Sequence, residues 1–157
     1  MLKIQSKHSI SLSIILSVVF LAVCGFFAFI MPNLVDILIN ASNSVSKHGL
    51  ITGIDRTVIL SMAYVALLVV ILTDILLLLL LLRVRSGLIF TSASVSLIRG
   101  VSWCLLSLGA IFVGLGIFFL LCFAVAFVVV LVGLCLRVVK NVIEQANEIK
   151  SENDLTV

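Results

Sequence analysis

Charged residues leave three long gaps along the chain. Residues 9–35 and 100–136 carry no charge, and residues 57–82 carry only Asp74. The hydrocarbon core of a bilayer is about 30 Å thick, so a helix that crosses it needs about 20 predominantly apolar residues. Each gap is at least that long. The pattern therefore predicts an all-α integral membrane protein that is surrounded by the lipid bilayer.

The third gap is too long for a single span. A straight helix over residues 100–136 would be about 55 Å long, so we expect two helices joined by a tight turn within residues 114–119. The first span should end at Pro32, because a proline in a helix interior removes a backbone donor and clashes with the preceding turn. The chain, residues 1–157, is predicted to be one membrane domain, a four-transmembrane-helix bundle with spans at about 10–31, 58–82, 95–116 and 119–139.

Basic residues are unevenly divided between the two sides that four spans define. Eight of the ten lysines and arginines fall on the side of the two termini, whereas Lys47 and Arg56 fall on the other. Cytoplasmic segments are enriched in lysine and arginine, so both termini are expected in the cytoplasm. This asymmetry accounts for the net charge of +3, and no direct nucleic-acid partner is inferred from it.

Composition agrees with this class of protein. The chain is 63% hydrophobic and 11% charged, and its mean hydropathy is +1.43. Soluble domains are about 45–50% apolar and about 25% charged. These values exclude a soluble enzyme, a soluble nucleic-acid-binding domain and a disordered tail.

The connection between the first two spans begins with an apolar segment. Leu34, Ile37, Leu38 and Ala41 would share one face of a helix, so we expect this segment to lie along the membrane surface. On the other side of the membrane, Thr91 or Ser92 is suited to cap the next helix, because a hydroxyl can accept from a free backbone N–H.

The tail at residues 140–152 has an amphipathic pattern. Apolar residues recur with helical spacing from Val139 to Ile149, while Glu144, Glu148 and Glu152 lie one turn apart. The pattern predicts a cytoplasmic C-terminal amphipathic helix. Its acidic stripe either packs on the cytoplasmic loop or forms a docking surface for a cytosolic protein, and the sequence leaves both interpretations open.

The strongest candidate for chemistry is Asp74, an acid within the second span. An aspartate at the centre of a transmembrane helix costs about 2.5–3.5 kcal/mol on insertion scales, so its side chain should face protein or a water-filled cavity. Ser102 or Ser107 of the third span is the expected hydrogen-bond partner. Two roles stay open for Asp74: a polar contact that holds the bundle together, or a proton-coupled transport site.

Small residues in the third span indicate helix packing. Ser102, Gly109 and Gly116 recur every seven residues, which lets another backbone approach closely, and four short helices leave a homodimer open. The four cysteines lie in the spans without C-x-x-C spacing, and the sequence contains no catalytic, metal-binding or cofactor-binding motif. We therefore expect no enzyme activity, no metal and no cofactor.

Two stretches resemble signatures of a known family. The segment Gly87-Leu-Ile-Phe90-Thr91, followed by Leu-Ile-Arg99, is similar to a Gly-x-x-Phe-Thr…Leu-Arg signature, although Ile89 stands where proline is usual. The end of the chain resembles an acidic Glu-x-Asp-Leu-Thr-Val ending. Together they resemble the uncharacterised YoaS-like family of small four-span bacterial membrane proteins. The family-marking positions, to which no role is attached, are Gly87, Phe90, Thr91, Arg99, Glu152, Asp154, Leu155, Thr156 and Val157.

The resemblance implies a location in the bacterial cell membrane but no activity. Members of that family are often encoded beside a small helix-turn-helix regulator, which implies a membrane partner of a cytoplasmic transcription factor. The first functional hypothesis is accordingly a membrane-located regulator or sensor. The alternatives are a small proton-coupled transporter or efflux subunit that uses Asp74, and an immunity protein that shields the membrane from a peptide toxin.

Overall fold

The part of the chain that the structure describes folds into four long helices. The computed structural model describes residues 2–45, 53–86 and 91–154. The helices are α1 (Leu2–Val45), α2 (Gly53–Arg85), α3 (Ser92–Gly116) and α4 (Leu121–Asp154). Each contains a stretch long and apolar enough to cross a membrane. The prediction of an all-helical chain with four candidate membrane spans is confirmed.

Consecutive helices run antiparallel. Later residues of one helix contact earlier residues of the next, at all three helix pairs. One end of the bundle therefore collects the end of α2, the start of α3 and the region where α4 leaves its apolar run. We call it the basic end, because it carries Arg83, Arg85, Arg99, Arg137 and Lys140.

The bundle is open on one side. Within the part of the chain that the structure describes, each helix backbone lies close only to the helices next to it in sequence. The backbone of α1 is therefore not close to that of α3 or α4, although side chains near the end of α1 meet Leu115 of α3 in one buried cluster. Because α1 and α3 both pack on α2 without closing on each other, a groove forms between them with α2 as its floor. Large apolar side chains also cover the outside of the helices, as lipid contact requires.

The first helix continues through Pro32, so the prediction that proline ends it is wrong. Proline has no backbone N–H, which leaves the carbonyl four residues earlier, that of Ala28, without its usual intrahelical donor. The hydroxyl of Tyr64 on α2 donates to this carbonyl oxygen at 3.2 Å. A proline is tolerated in a membrane helix where a neighbouring helix supplies the missing bond in this way.

The end of the bundle opposite the basic end is closed by an apolar cluster. Val35 and Ile39 of α1, Ile59 of α2 and Leu115 of α3 are buried together. Two residues of the face predicted for the segment after Pro32, Ile37 and Leu38, are exposed, and the cluster is formed by another face of the same segment. The segment is not a separate surface helix but the last turns of α1, which pack against α2 and α3.

An ion pair joins α1 to α2 beside this cluster. The guanidinium of Arg56 donates two hydrogen bonds to the carboxylate of Asp36, from Nε at 2.6 Å and from Nη2 at 2.9 Å. Both side chains are partly exposed. The pair fixes the register of the α1–α2 hairpin at its closed end.

The small residues of α3 pack against α4. Ser102 donates from its hydroxyl to the carbonyl of Gly133 at 2.9 Å. A Cβ on Gly109 would approach Val130 Cγ2 to 2.5 Å, and one on Gly116 would approach the ring of Phe123 to 2.8 Å. The heptad of small residues thus marks the α3–α4 interface, where the two backbones come close.

The turn between α3 and α4 overlaps the stretch predicted for it but extends one residue further, to Leu120. Helix α3 ends at Gly116 and α4 begins at Leu121, while the amides of Ile117 and Phe118 donate to carbonyls of the last turn of α3. Helix α4 then continues without a break to Asp154. The tail is accordingly not a separate helix within the described residues, but an extension of the fourth span.

Candidate functional site

The buried acid of the second span is held by the first helix. The hydroxyl of Ser17 on α1 donates to Oδ1 of Asp74 at 2.7 Å, and both side chains are buried, with relative exposures of 5% and 6%. The expectation that a serine of the third span binds Asp74 is wrong. The antiparallel register of α1 and α2 places Ser17 at the same level as Asp74.

The two serines named from the sequence make other contacts. Ser102 lies in the α3–α4 interface described above, and Ser107 is exposed and donates to the carbonyl of Cys104 on its own helix at 2.8 Å. A serine in a helix commonly bonds to its own preceding turn in this way. Neither hydroxyl is hydrogen-bonded to Asp74.

The second carboxylate oxygen of Asp74 has no partner. Oδ2 is buried, yet among the described residues no hydrogen-bond donor reaches it. Leaving a buried acceptor unsatisfied costs about 1–3 kcal/mol, and more where the group is charged. Such an atom is rare in a protein interior and marks a place where a further donor can bind favourably.

Asp74 lines the groove between α1 and α3, which we call the α1–α3 groove. Its volume is about 790 Å³, and α1, α2 and α3 all contribute walls. Pockets for drug-sized molecules have volumes of about 300–1,000 Å³ and are mostly apolar, with a few polar groups that orient the ligand. The polar residues along this groove are Ser13, Ser17, Thr73 and Asp74, and the apolar ones include Leu16, Phe20, Val70, Leu77, Leu105 and Leu108.

The polar residues of the groove differ in what they can offer a ligand. Thr73 donates to the carbonyl of Val69 on its own helix at 2.7 Å, so its hydrogen is already used. Ser17 is committed to Asp74. The carboxyl of Asp74 is therefore the group best placed to receive a donor from a bound molecule. The arrangement suits an amphiphilic ligand with a cationic or N–H-bearing end.

Sequence reasoning did not find Ser17 as the partner of Asp74. A signal was present, because Ser13 and Ser17 are four residues apart and share one helix face. In an antiparallel hairpin whose connection lies near residues 46–52, that face meets the middle of the second span. The same spacing is also typical of small residues that let two helices pack closely, so the spacing alone does not single out a partner for Asp74.

The family-marking positions lie at the basic end where the structure describes them. Thr91 caps α3 and accepts from the amide of Ser94 at 3.3 Å, which confirms the predicted N-cap. Arg99 donates to Glu144 of α4 at 3.3 Å. Glu152 and Asp154 lie in the last turns of α4. The positions outside the described residues are Gly87, Phe90, Leu155, Thr156 and Val157.

The described residues include no group of three or more histidine, cysteine, aspartate or glutamate side chains close enough to hold a metal ion. The four cysteines are free thiols. His48, which the sequence places on the same side as Asp36 and Asp55, lies outside the described residues. The α1–α3 groove is therefore the candidate site that the geometry defines most clearly.

Comparisons with known proteins add no assignment. No protein-family model matches the chain, and neither the curated proteins nor the solved structures give a significant match. The α1–α3 groove and the basic end of the bundle are therefore the features that bear on function.

Proposed function

We propose that this protein is a membrane-located sensor that binds an amphiphilic cation in the α1–α3 groove and works with a cytoplasmic helix-turn-helix transcription factor. The observation that carries the proposal is the buried, unpartnered Oδ2 of Asp74 in an otherwise apolar groove. A lone intramembrane acid attracts a cationic or N–H-bearing group, because such a group supplies the missing hydrogen bond and compensates charge.

The proposal assigns the basic end to the cytoplasm. The basic end carries arginines of α2, α3 and α4 together with Lys140, whereas Arg56 at the opposite end is paired with Asp36. The positive-inside rule favours this orientation, with both termini cytoplasmic in a bacterial cell membrane. Helix α4 would then extend into the cytoplasm as the amphipathic helix expected from the sequence.

A conformational change caused by ligand binding can be transmitted to the cytoplasmic end through α3 and α4. A molecule in the groove contacts α1, α2 and α3, and it would change the distance between α1 and α3, whose backbones are not in close contact within the described residues. Helix α3 is closely packed along α4 and joined to it by Arg99 and Glu144. A shift of α3 would therefore move the α4 extension, where Val142 and Ile149 are exposed and available to a partner.

The ligand-binding part of the proposal is tested with ethidium, a planar organic cation with N–H donors whose fluorescence rises in apolar surroundings. The full-length protein in lipid nanodiscs should bind ethidium, and Asp74→Asn should weaken binding by about tenfold or more, the value of a charge-assisted hydrogen bond. Ser107→Ala, outside the groove, is the matched control and should bind as the wild type does. Equal binding by Asp74→Asn would refute the proposed site.

The regulatory part is tested by co-purification from native membranes. The full-length protein should retain a small helix-turn-helix protein, identified by mass spectrometry, and deletion of residues 141–157 should abolish the association. Asp74→Asn should retain the partner, because the substitution leaves the α4 extension intact. A truncated protein that retains the same partner would overturn this role.

A second candidate function, a small proton-coupled transporter, is favoured by the same pair, since a buried carboxyl bonded to a serine in an open groove can bind either a proton or a cation. In proteoliposomes with an imposed pH gradient, this function predicts ethidium flux that Asp74→Asn abolishes. Binding without flux favours the sensor, and proton-linked flux favours the transporter.

A further inference from the structure

A second, smaller cleft lies between α3 and α4 at the basic end. Its volume is about 250 Å³, and it is lined by Arg99, Ser102, Trp103, Arg137, Lys140 and Asn141. It shares no lining residue with the α1–α3 groove. Any ligand it takes is therefore independent of the proposed function above.

The cleft carries more positive than negative charge. Arg99 and Lys140 both pair with the single carboxylate of Glu144. The guanidinium carbon of Arg137 lies 4.5 Å from the centre of the Trp103 ring, and among the described residues no carboxylate pairs with it. A ring contact orients a cation but leaves its charge uncompensated. Three cations thus share one anion, which favours a ligand with negative charge.

The cleft lies at the level where a phospholipid headgroup would be. Arg137 is the first charged residue after the apolar run of residues 100–136, so it marks the boundary between hydrocarbon and headgroups. Trp103 is 60% exposed, as is common for tryptophan at a membrane interface. Apolar side chains of α4 on either side of Arg137, Leu134 and Val138, are also exposed and can contact acyl chains.

We propose that the α3–α4 cleft binds the phosphate of an anionic phospholipid, with Arg137 and Lys140 as the cationic ligands and Trp103 as the group that holds Arg137 in place. Basic clefts between transmembrane helices at the cytoplasmic side are suited to anionic headgroups. Arginine contributes planar N–H donors to a phosphate, and lysine contributes a compact charge. A bound lipid would also bridge α3 to α4 beside the Arg99–Glu144 pair.

The shared chemistry, a phosphate group, could come from a lipid or from free phosphate, and the proposal commits to the lipid. The test is native mass spectrometry of the full-length protein released from mixed micelles that contain equal amounts of phosphatidylglycerol and phosphatidylcholine. The wild type should retain phosphatidylglycerol preferentially. Arg137→Gln and Lys140→Gln should each lower that preference by about fivefold, the contribution of one basic residue near an anionic surface.

Two further variants keep the test decisive. Arg85→Gln removes one positive charge from the basic end but outside the cleft, so it should leave the preference unchanged. Arg137→Lys keeps the charge, so it should retain most of the preference even if the glutamine variant folds poorly. An equal loss in Arg85→Gln would show a diffuse surface effect and overturn the site. Displacement of the lipid by inorganic phosphate would overturn the lipid as the ligand.

Discussion

Tyr64 donates its hydroxyl hydrogen to the carbonyl oxygen of Ala28, at the one place in α1 where Pro32 removes the helix's own donor. The contact joins the tyrosine of one helix to the backbone of another across 36 residues of sequence. It explains why α1 passes through a proline without ending. It also ties the α1–α2 hairpin together between the Ser17–Asp74 pair and the Asp36–Arg56 pair.

Removing this hydroxyl should destabilise the hairpin. We expect Tyr64→Phe to lower the free energy of unfolding by about 0.6 kcal/mol, the average for hydrogen bonds between membrane helices, and by no more than about 1.7 kcal/mol. In a Pro32→Ala background the amide of residue 32 can donate to Ala28 again, so the same substitution should cost little. Reversible unfolding in mixed detergent micelles gives all four values of this double-mutant cycle. If Tyr64→Phe lowered stability equally with and without Pro32, the tyrosine would not be replacing the donor that proline lacks.

The close approach of α3 to α4 gives a second prediction. A Cβ on Gly116 would meet three ring atoms of Phe123 within 2.9 Å, so we expect Gly116→Ala to lower stability by about 1–3 kcal/mol, the cost of overpacking. Gly25→Ala is the matched control. A Cβ there would meet no atom within 4 Å, and replacing a helical glycine by alanine adds up to about 1 kcal/mol of helix propensity.

The measurement is thermal unfolding of each variant in the same detergent. A companion pair checks the steric cause directly. A Cβ on Gly109 would lie 2.5 Å from Cγ2 of Val130, so Gly109→Ala should be destabilising alone and should recover part of its stability when Val130→Ala removes that methyl group. If Gly25→Ala and Gly116→Ala change stability alike, the small residues of α3 do not mark a close interface.

Local signals in the sequence predicted the elements well. The N-cap at Thr91 depends on one hydroxyl and the amides beside it, and the turn after Gly116 depends on the length of one apolar run, so both are visible in a short window. The number of candidate spans follows from the same kind of information. These features could be predicted because hydropathy and capping act over a few residues.

Contacts between helices could not be predicted in the same way. The partner of Asp74 depends on the register of α1 against α2, which is set by many side chains along both helices. The behaviour of Pro32 likewise depends on Tyr64 of the next helix. The α1–α3 groove arises because the backbone of α1 stays apart from that of α3 within the described residues, and no pattern within either helix contains that information.

The orientation of the bundle gives a third prediction. A green fluorescent protein fused after Val157 should be fluorescent, because it folds in the cytoplasm, and alkaline phosphatase inserted between residues 46 and 52 should be active, because it folds outside. The positive-inside rule is the physical reason, since the basic end carries arginines of α2, α3 and α4 together with Lys140. The opposite pattern of activities would place the α4 extension outside and remove the proposed contact with a transcription factor.

A structural role and a ligand-binding role of Asp74 predict opposite effects of the same substitutions on stability. If the Ser17–Asp74 hydrogen bond serves to hold α1 and α2 together, replacing both residues by apolar ones would weaken the bundle. If Asp74 is retained for a ligand, its unpartnered Oδ2 is a cost to the unliganded protein, and the double variant Ser17→Ala/Asp74→Leu should be more stable than the wild type by about 1–3 kcal/mol. Ser17→Ala alone should be destabilising, because it leaves both oxygens of Asp74 without a donor.

Reversible unfolding measures the stability of these variants, and ethidium binding, which the double variant should lose, is the second readout. A double variant less stable than the wild type would show that the pair holds the helices together, and the sensor proposal would then lose its main support.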